Sequence, residues 1–116
     1  MAAGEYNFTI EQGATLDRTF IYKDGDGDPL DLTGFTARMH LRSRASAATT
    51  LLELTTTNGR IVITGATGTI RLVAPASVTA ALNFNTAVYD LEIESAVGTV
   101  TRLLQGTIEL SKEVTR

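Results

Sequence analysis

Phe35-Thr36-Ala37-Arg38-Met39-His40-Leu41-Arg42 decides the fold class. Phe35, Ala37, Met39 and Leu41 share one parity, and Thr36, Arg38, His40 and Arg42 the other. Successive strand side chains point to opposite faces of a sheet, so this stretch is a strand with one packed face and one charged face. The same alternation recurs on both sides of it. Upstream, Phe8 and Ile10 alternate with Asn7 and Thr9, and Leu16, Phe20 and Tyr22 share a parity with Arg18 between them. Downstream, short strands are expected over 51–54, 60–64 and 69–73, with Asn58-Gly59 and Gly65 to Gly68 as reversals. Ala87 to Glu94 sets Tyr89, Leu91 and Ile93 against Asp90, Glu92 and Glu94, and Gly98 turns the chain into a closing strand from Val100 to Leu110.

Only two stretches break the pattern. Ser43 to Thr50 is small and polar and reads as a loop. Pro75 before an alanine-rich run predicts one short helical turn near 75–82, with proline at the first helical position. Gly106, within the last strand, permits a bulge or a switch of sheet. About seven or eight short strands, with turns roughly every 8 to 12 residues, predict an all-β, immunoglobulin-like antiparallel sandwich spanning 1–116 as a single domain. Tyr89-Asp90-Leu91 after a helical turn is similar to the corner that opens the sixth strand of immunoglobulin-like domains, without the usual cysteine.

Composition narrows the chemistry. With 43% hydrophobic and 20% charged residues, a chain of 116 residues can build one core, and no apolar run approaches the roughly 18 residues of a membrane span. The opening MAAGEYNF has neither a basic start nor an apolar stretch, so no secretory leader is expected. The absence of cysteine removes disulfides and thiolate chemistry, and one histidine, His40, leaves no nucleophile with a base and an orienting partner. No Gly-x-Ser-x-Gly elbow or phosphate loop occurs, so an enzyme and a bound cofactor are not expected. Thirteen acidic and ten basic side chains give a net charge of -3, which does not attract nucleic acid.

Two charged motifs remain. Asp24, Asp26 and Asp28 have the alternate spacing of a calcium loop, but continuing that register meets Pro29 where glycine is needed and Phe35 where a bidentate glutamate is needed. A tight turn uses the same residues, and it is the preferred reading, with the three aspartates the only candidate metal ligands. Arg38, His40, Arg42 and Arg44 form a basic stripe and are the interface candidates. Alternation alone also produces such a stripe, and cross-strand pairing with Asp90, Glu92 and Glu94 is the preferred reading if those strands are neighbours.

Phe20-Ile21-Tyr22-Lys23-Asp24, then Gly27-Asp28-Pro29-Leu30-Asp31-Leu32-Thr33-Gly34-Phe35-Thr36-Ala37-Arg38-Met39, resembles the amino-terminal half of small virion proteins of tailed bacteriophages. Tyr89-Asp90-Leu91-Glu92-Ile93, Arg102-Leu103-Leu104-Gln105-Gly106-Thr107-Ile108 and Ser111-Lys112-Glu113-Val114-Thr115-Arg116 are similar to their closing hairpin. The resemblance implies a domain like those of baseplate upper and fibre-attachment proteins, with a structural role and other virion proteins as partners. It implies several copies in a symmetric assembly, built in a bacterial cytoplasm, and the charge and the lack of a long apolar run lead to no expectation of a nucleic-acid or membrane partner. It transfers no functional residue. Such relatives carry this domain before longer fibre regions, whereas this sequence ends at Arg116, which leaves open a tail or baseplate adaptor and a capsid decoration protein. A carbohydrate-binding module is a third expectation, with Tyr6, Tyr22 and Tyr89 as its aromatic candidates. Docking is expected through sheet edges, first at Gly4 to Ile10 and Val114 to Arg116.

Overall fold

The computed structural model describes residues 4–115; Met1–Ala3 of the opening stretch and Arg116 of the C-terminal candidate edge lie outside them. Two sheets pack face to face into an all-β sandwich. In chain order the strands are β1 (Gly4–Glu5), β2 (Phe8–Glu11), β3 (Leu16–Ile21), β4 (Thr36–Arg42) and β5 (Leu52–Thr55), then β6 (Ile61–Thr64), β7 (Thr69–Ala74), β8 (Thr86–Glu94) and β9 (Val100–Ser111). The larger sheet has the order β1-β9-β8-β4-β5, with β2 also on β9, and the smaller has the order β3-β7-β6.

The alternation that defines β4 is realised in its burial. Ala37, Met39 and Leu41 are buried while Thr36 and Arg38 are exposed, because β4 lies between β8 and β5 with one face on the core. Met39, Leu41, Leu54, Leu91, Ile70 and Leu72 are at most 1% exposed, and each contributes about 1.5–3 kcal/mol of burial free energy. Leu32, on the long β3–β4 connection, closes one end of this core. At the other end the short helix α1 (Ala76–Ala80) presents Thr79. The Thr79 hydroxyl is fully buried, lies 2.8 Å from the Ala14 carbonyl oxygen and accepts the Gly13 N–H.

Three expectations are corrected. The sheets are not wholly antiparallel, because β1 and β2 run parallel to β9. Nine strands stand among the described residues, eight if the first strand, split at Tyr6-Asn7, is counted once. Pro75 precedes α1 as its N-cap with extended backbone, and a second helical turn, of 3-10 type, occupies Gly65–Thr67. The bulge in the closing hairpin falls where Leu91 faces Leu104 and Glu92 faces Arg102, upstream of Gly106. The Tyr89 hydroxyl donates to the carbonyl of Tyr6, 2.6 Å away on the first strand.

That bond explains Gly106. Tyr89 lies opposite Gly106 on β9, and a side chain there would collide with the Tyr6 carbonyl oxygen and come within 2.7 Å of the Asn7 carboxamide oxygen. In an undisturbed parallel ladder the Tyr6 carbonyl would accept the Thr107 N–H. Here it dips over Gly106 to the Tyr89 hydroxyl, and Asn7 Oδ1 accepts the Thr107 N–H in its place at 2.8 Å. The register is unbroken across the split, with Glu5 facing Gln105 and Phe8 facing Ile108. The strand order is that of an immunoglobulin-type sandwich whose first strand has left its usual neighbour, β3, for β9.

Gly106→Ala is therefore expected to cost about 2–3 kcal/mol, measured by urea unfolding, while Gly25→Ala, with nothing near its added methyl, should be close to neutral. Burial pushes the Tyr89 phenol up to about 12 from an ordinary 10.0. The fold favours its neutral form, so this contribution is complete below pH 10 and is lost as pH rises through about 12. Tyr89→Phe should cost about 1–2 kcal/mol at neutral pH and should flatten that alkaline decline.

Candidate interaction surfaces

The outward face of the larger sheet gathers most of the charge singled out in the sequence. One row crosses five of its six strands: Glu5 on β1, Gln105 on β9, Asp90 on β8, His40 on β4 and Glu53 on β5. The adjoining row places Arg102, Glu92, Arg38 and Thr55 side by side. An open groove of about 610 Å³ runs over these rows, with Val88, Gly106 and Thr107 among its lining residues.

The charges on this face pair with each other. Arg38 Nε lies 2.9 Å from Glu92 and its Nη1 3.4 Å from Glu94. His40 Nε2 meets Glu53 at 2.9 Å and its Nδ1 meets Arg42 Nη2 at 3.1 Å. Arg102 sits 3.5 Å from Asp90. Of the four interface candidates, Arg38 and His40 thus have carboxylate partners. Arg42 folds onto the Ala47 and Ala48 carbonyls at 3.1 and 3.0 Å. Arg44 falls outside the stripe: β4 ends at Arg42, and Arg44 bonds Ser46 in the following loop. β4 and β8 are neighbours, and the expected cross-strand pairing is made by Arg38 with Glu92 and Glu94, whereas His40 turns to Glu53 and Asp90 to Arg102.

The aspartate motif is a turn. Asp24 Oδ1 accepts the N–H groups of Asp26 and Asp28 at 2.9 and 3.1 Å, the Asp24 N–H reaches the Asp28 carbonyl at 2.8 Å, and Lys23 bridges to Pro29. Among the described residues no three carboxylate or imidazole groups are placed to hold a metal ion. The three tyrosines pack on the core. Tyr89 is 5% exposed, Tyr22 packs against the core cluster, and Tyr6 stacks on Phe8 and meets Phe20 edge-on.

The sheet edges differ from one another. On β5 the Glu53 carbonyl accepts from both Asn58 Nδ2 and Arg60 Nη1 at 3.2 Å, and the Thr55 N–H is taken by Asn58 Oδ1 at 3.0 Å. On β2 the Thr9 carbonyl is met by Arg18 Nη2 at 3.5 Å. Gly4 to Ile10, where docking is expected first, is committed to β9 along one side. Val114 is 89% exposed beyond β9.

No family model matches the chain, and no curated protein matches it.

Sequence reasoning missed the caps formed by Asn58 and Arg60 and the role of Arg18. The inward parity of Arg18 in an otherwise apolar strand was the available signal, since a charge on a core face belongs at a sandwich rim. Its guanidinium lies 4.8 Å over the Phe8 ring and donates to the Tyr6 hydroxyl at 3.0 Å.

The carboxylate pairs are half-exposed, so each should contribute below about 1 kcal/mol. Arg38→Met should shift stability by less than that, and the difference should vanish in about 1 M salt, as read by parallel urea titrations.

Proposed function

We propose that this chain is a non-enzymatic structural component of a tailed-phage virion, a tail, baseplate or fibre-attachment adaptor that docks to neighbouring subunits through its sheet edges and loops. One coincidence of position carries this reading: the segments that resemble small virion proteins are those that fix the fold. In the first, Asp31 caps the Thr33 N–H at 3.0 Å, Leu32 is buried with its N–H on the Gly65 carbonyl at 2.8 Å, and Gly34 turns the chain at a φ of 83°. In the second, Tyr89 and Gly106 hold the first strand on the last. A resemblance resting on such residues speaks for a shared architecture used as a building part.

The surface supports the same reading. Outward charges are spent on cross-strand pairs, and unpaired strand edges offer the backbone donors and acceptors by which subunits add to one another. The packed tyrosines weigh against recognition of sugars by stacking.

Quantitative mass spectrometry and antibody labelling of purified particles test the proposal. The chain should be found at fixed stoichiometry, with label at the tail. Absence from particles would overturn a virion role, and label spread over the head would replace the tail adaptor with a capsid decoration protein.

A further inference from the structure

We infer that the free edge of β3 is an interface with a second copy of this chain, formed by antiparallel pairing of β3 with its symmetry mate about a two-fold axis at Thr19. The inference deepens the proposed assembly role, on which its biological sense rests, by naming one partner.

The edge follows from the ladder's phase. The Tyr22 N–H donates to the Gly68 carbonyl at 2.8 Å, and Leu16, Arg18 and Phe20 hold the same phase opposite Ala74, Leu72 and Ile70. In an antiparallel pair the intervening residues turn their backbone groups the other way. Asp17, Thr19 and Ile21 therefore aim three N–H and three C=O groups away from β7, and none of them is partnered among the described residues. In an immunoglobulin-type sandwich this is where the first strand would lie, but here that strand is held on β9. The edges of β5 and β6 are better closed. On β5, Asn58 and Arg60 cap the exposed groups. On β6, only Ile61 and Ile63 face outward, because the Gly65 carbonyl is taken by the Leu32 N–H. The β3 edge also carries Ile21, 53% exposed, on the outer face of its sheet.

The residues choose both occupant and register. Centred on Thr19, self-pairing sets Thr19 against Thr19 and Asp17 against Ile21, so all six open groups of each copy find partners. Arg18 then faces Phe20, a cation beside a ring, and Asp17, already held by two bonds from Arg71 at 2.8 and 2.7 Å, meets no like charge. Shifting the axis to Arg18 or to Asp17 opposes like charges, and shifting it to Phe20 carries the pairing past Ile21, where β3 ends, to set Asp17 against Lys23. The Thr19-centred register alone keeps the pairing within β3 and opposes no like charges. It extends the smaller sheet from three strands to six as a closed two-fold contact.

The chain has no cysteine, which permits a direct test. A residue on the axis lies within disulfide distance of its mate. Thr19→Cys should give an interchain disulfide about tenfold faster than Val62→Cys, whose site is 44% exposed on the opposite edge strand. Sedimentation should show a monomer–dimer equilibrium with a Kd between about 1 µM and 1 mM, as expected for a small interface. Thr19→Pro, which removes one outward N–H at a position where an edge strand accepts proline, should raise Kd about tenfold or more. Ile21→Lys, which leaves the backbone intact, should do the same and carries the test if the proline variant does not fold. A chain that stays monomeric at about 1 mM, or two cysteine variants that cross-link at equal rates, would overturn the interface. These measurements use the isolated chain, so a missing dimer and a chain missing from particles are separate results.

Discussion

The Tyr89 hydroxyl bonded to the Tyr6 carbonyl over Gly106 is the constraint on which the arrangement of the sandwich depends. The bond needs three conditions at once: a phenol buried on β8, a carbonyl released from its own ladder, and an empty site on β9 for that carbonyl to enter. Asn7 meets the cost of the second by taking over the Thr107 N–H, so no donor is left unpaired where the ladder is broken. Phe8 and Tyr6 then pack against Tyr89 and Phe20, and Arg18 seals the rim between the sheets from the β3 side. Holding the first strand on β9 is also what leaves β3 with an open edge.

The rest of the molecule divides into a core that supplies stability and a surface that supplies little. The core residues of the two sheets are nearly all excluded from solvent, whereas the cross-strand ion pairs are exposed enough to be screened. Arg71 holds the Asp17 carboxyl below the usual carboxylate range through a two-pronged contact, which orders the outer face of the smaller sheet without drawing a partner to it. Exposed backbone edges are a different matter, because an unpaired N–H or C=O row is satisfied as well by another chain as by water. A subunit of a larger assembly can use such a row, and a free monomer has to guard it. The caps on β5 and the open row on β3 show both situations in one molecule.

Much of the architecture was legible because alternation is local. The inward faces of β4 and β8 and the loop at Ser43 to Thr50 all follow from side-chain parity, and the structure places them as that parity requires. The direction of the first strand was not legible, because alternation says which face is buried and nothing about which neighbour lies beside it or in which sense it runs. Gly106 stood out as an exception within β9, yet its partner lies a hundred residues away at Tyr6, beyond any pattern along the chain. Arg44 was placed on the stripe because parity continues past the point where β4 stops, although the small polar run that begins at Ser43 marks that end. The free edge of β3 was invisible for the same reason as the first strand's direction: an edge is defined by what fails to pair.

Amide-resolved hydrogen exchange on the dilute monomer tests the central claim most directly, that locking the first strand on β9 leaves β3 open. The amides of Arg18 and Phe20, bonded to β7, and of Tyr6 and Thr107, bonded across the lock, should be protected, while those of Thr19 and Ile21 exchange close to the rate of an unstructured chain. Protection of Thr19 and Ile21 equal to that of their neighbours, or rapid exchange at Thr107, would contradict the account.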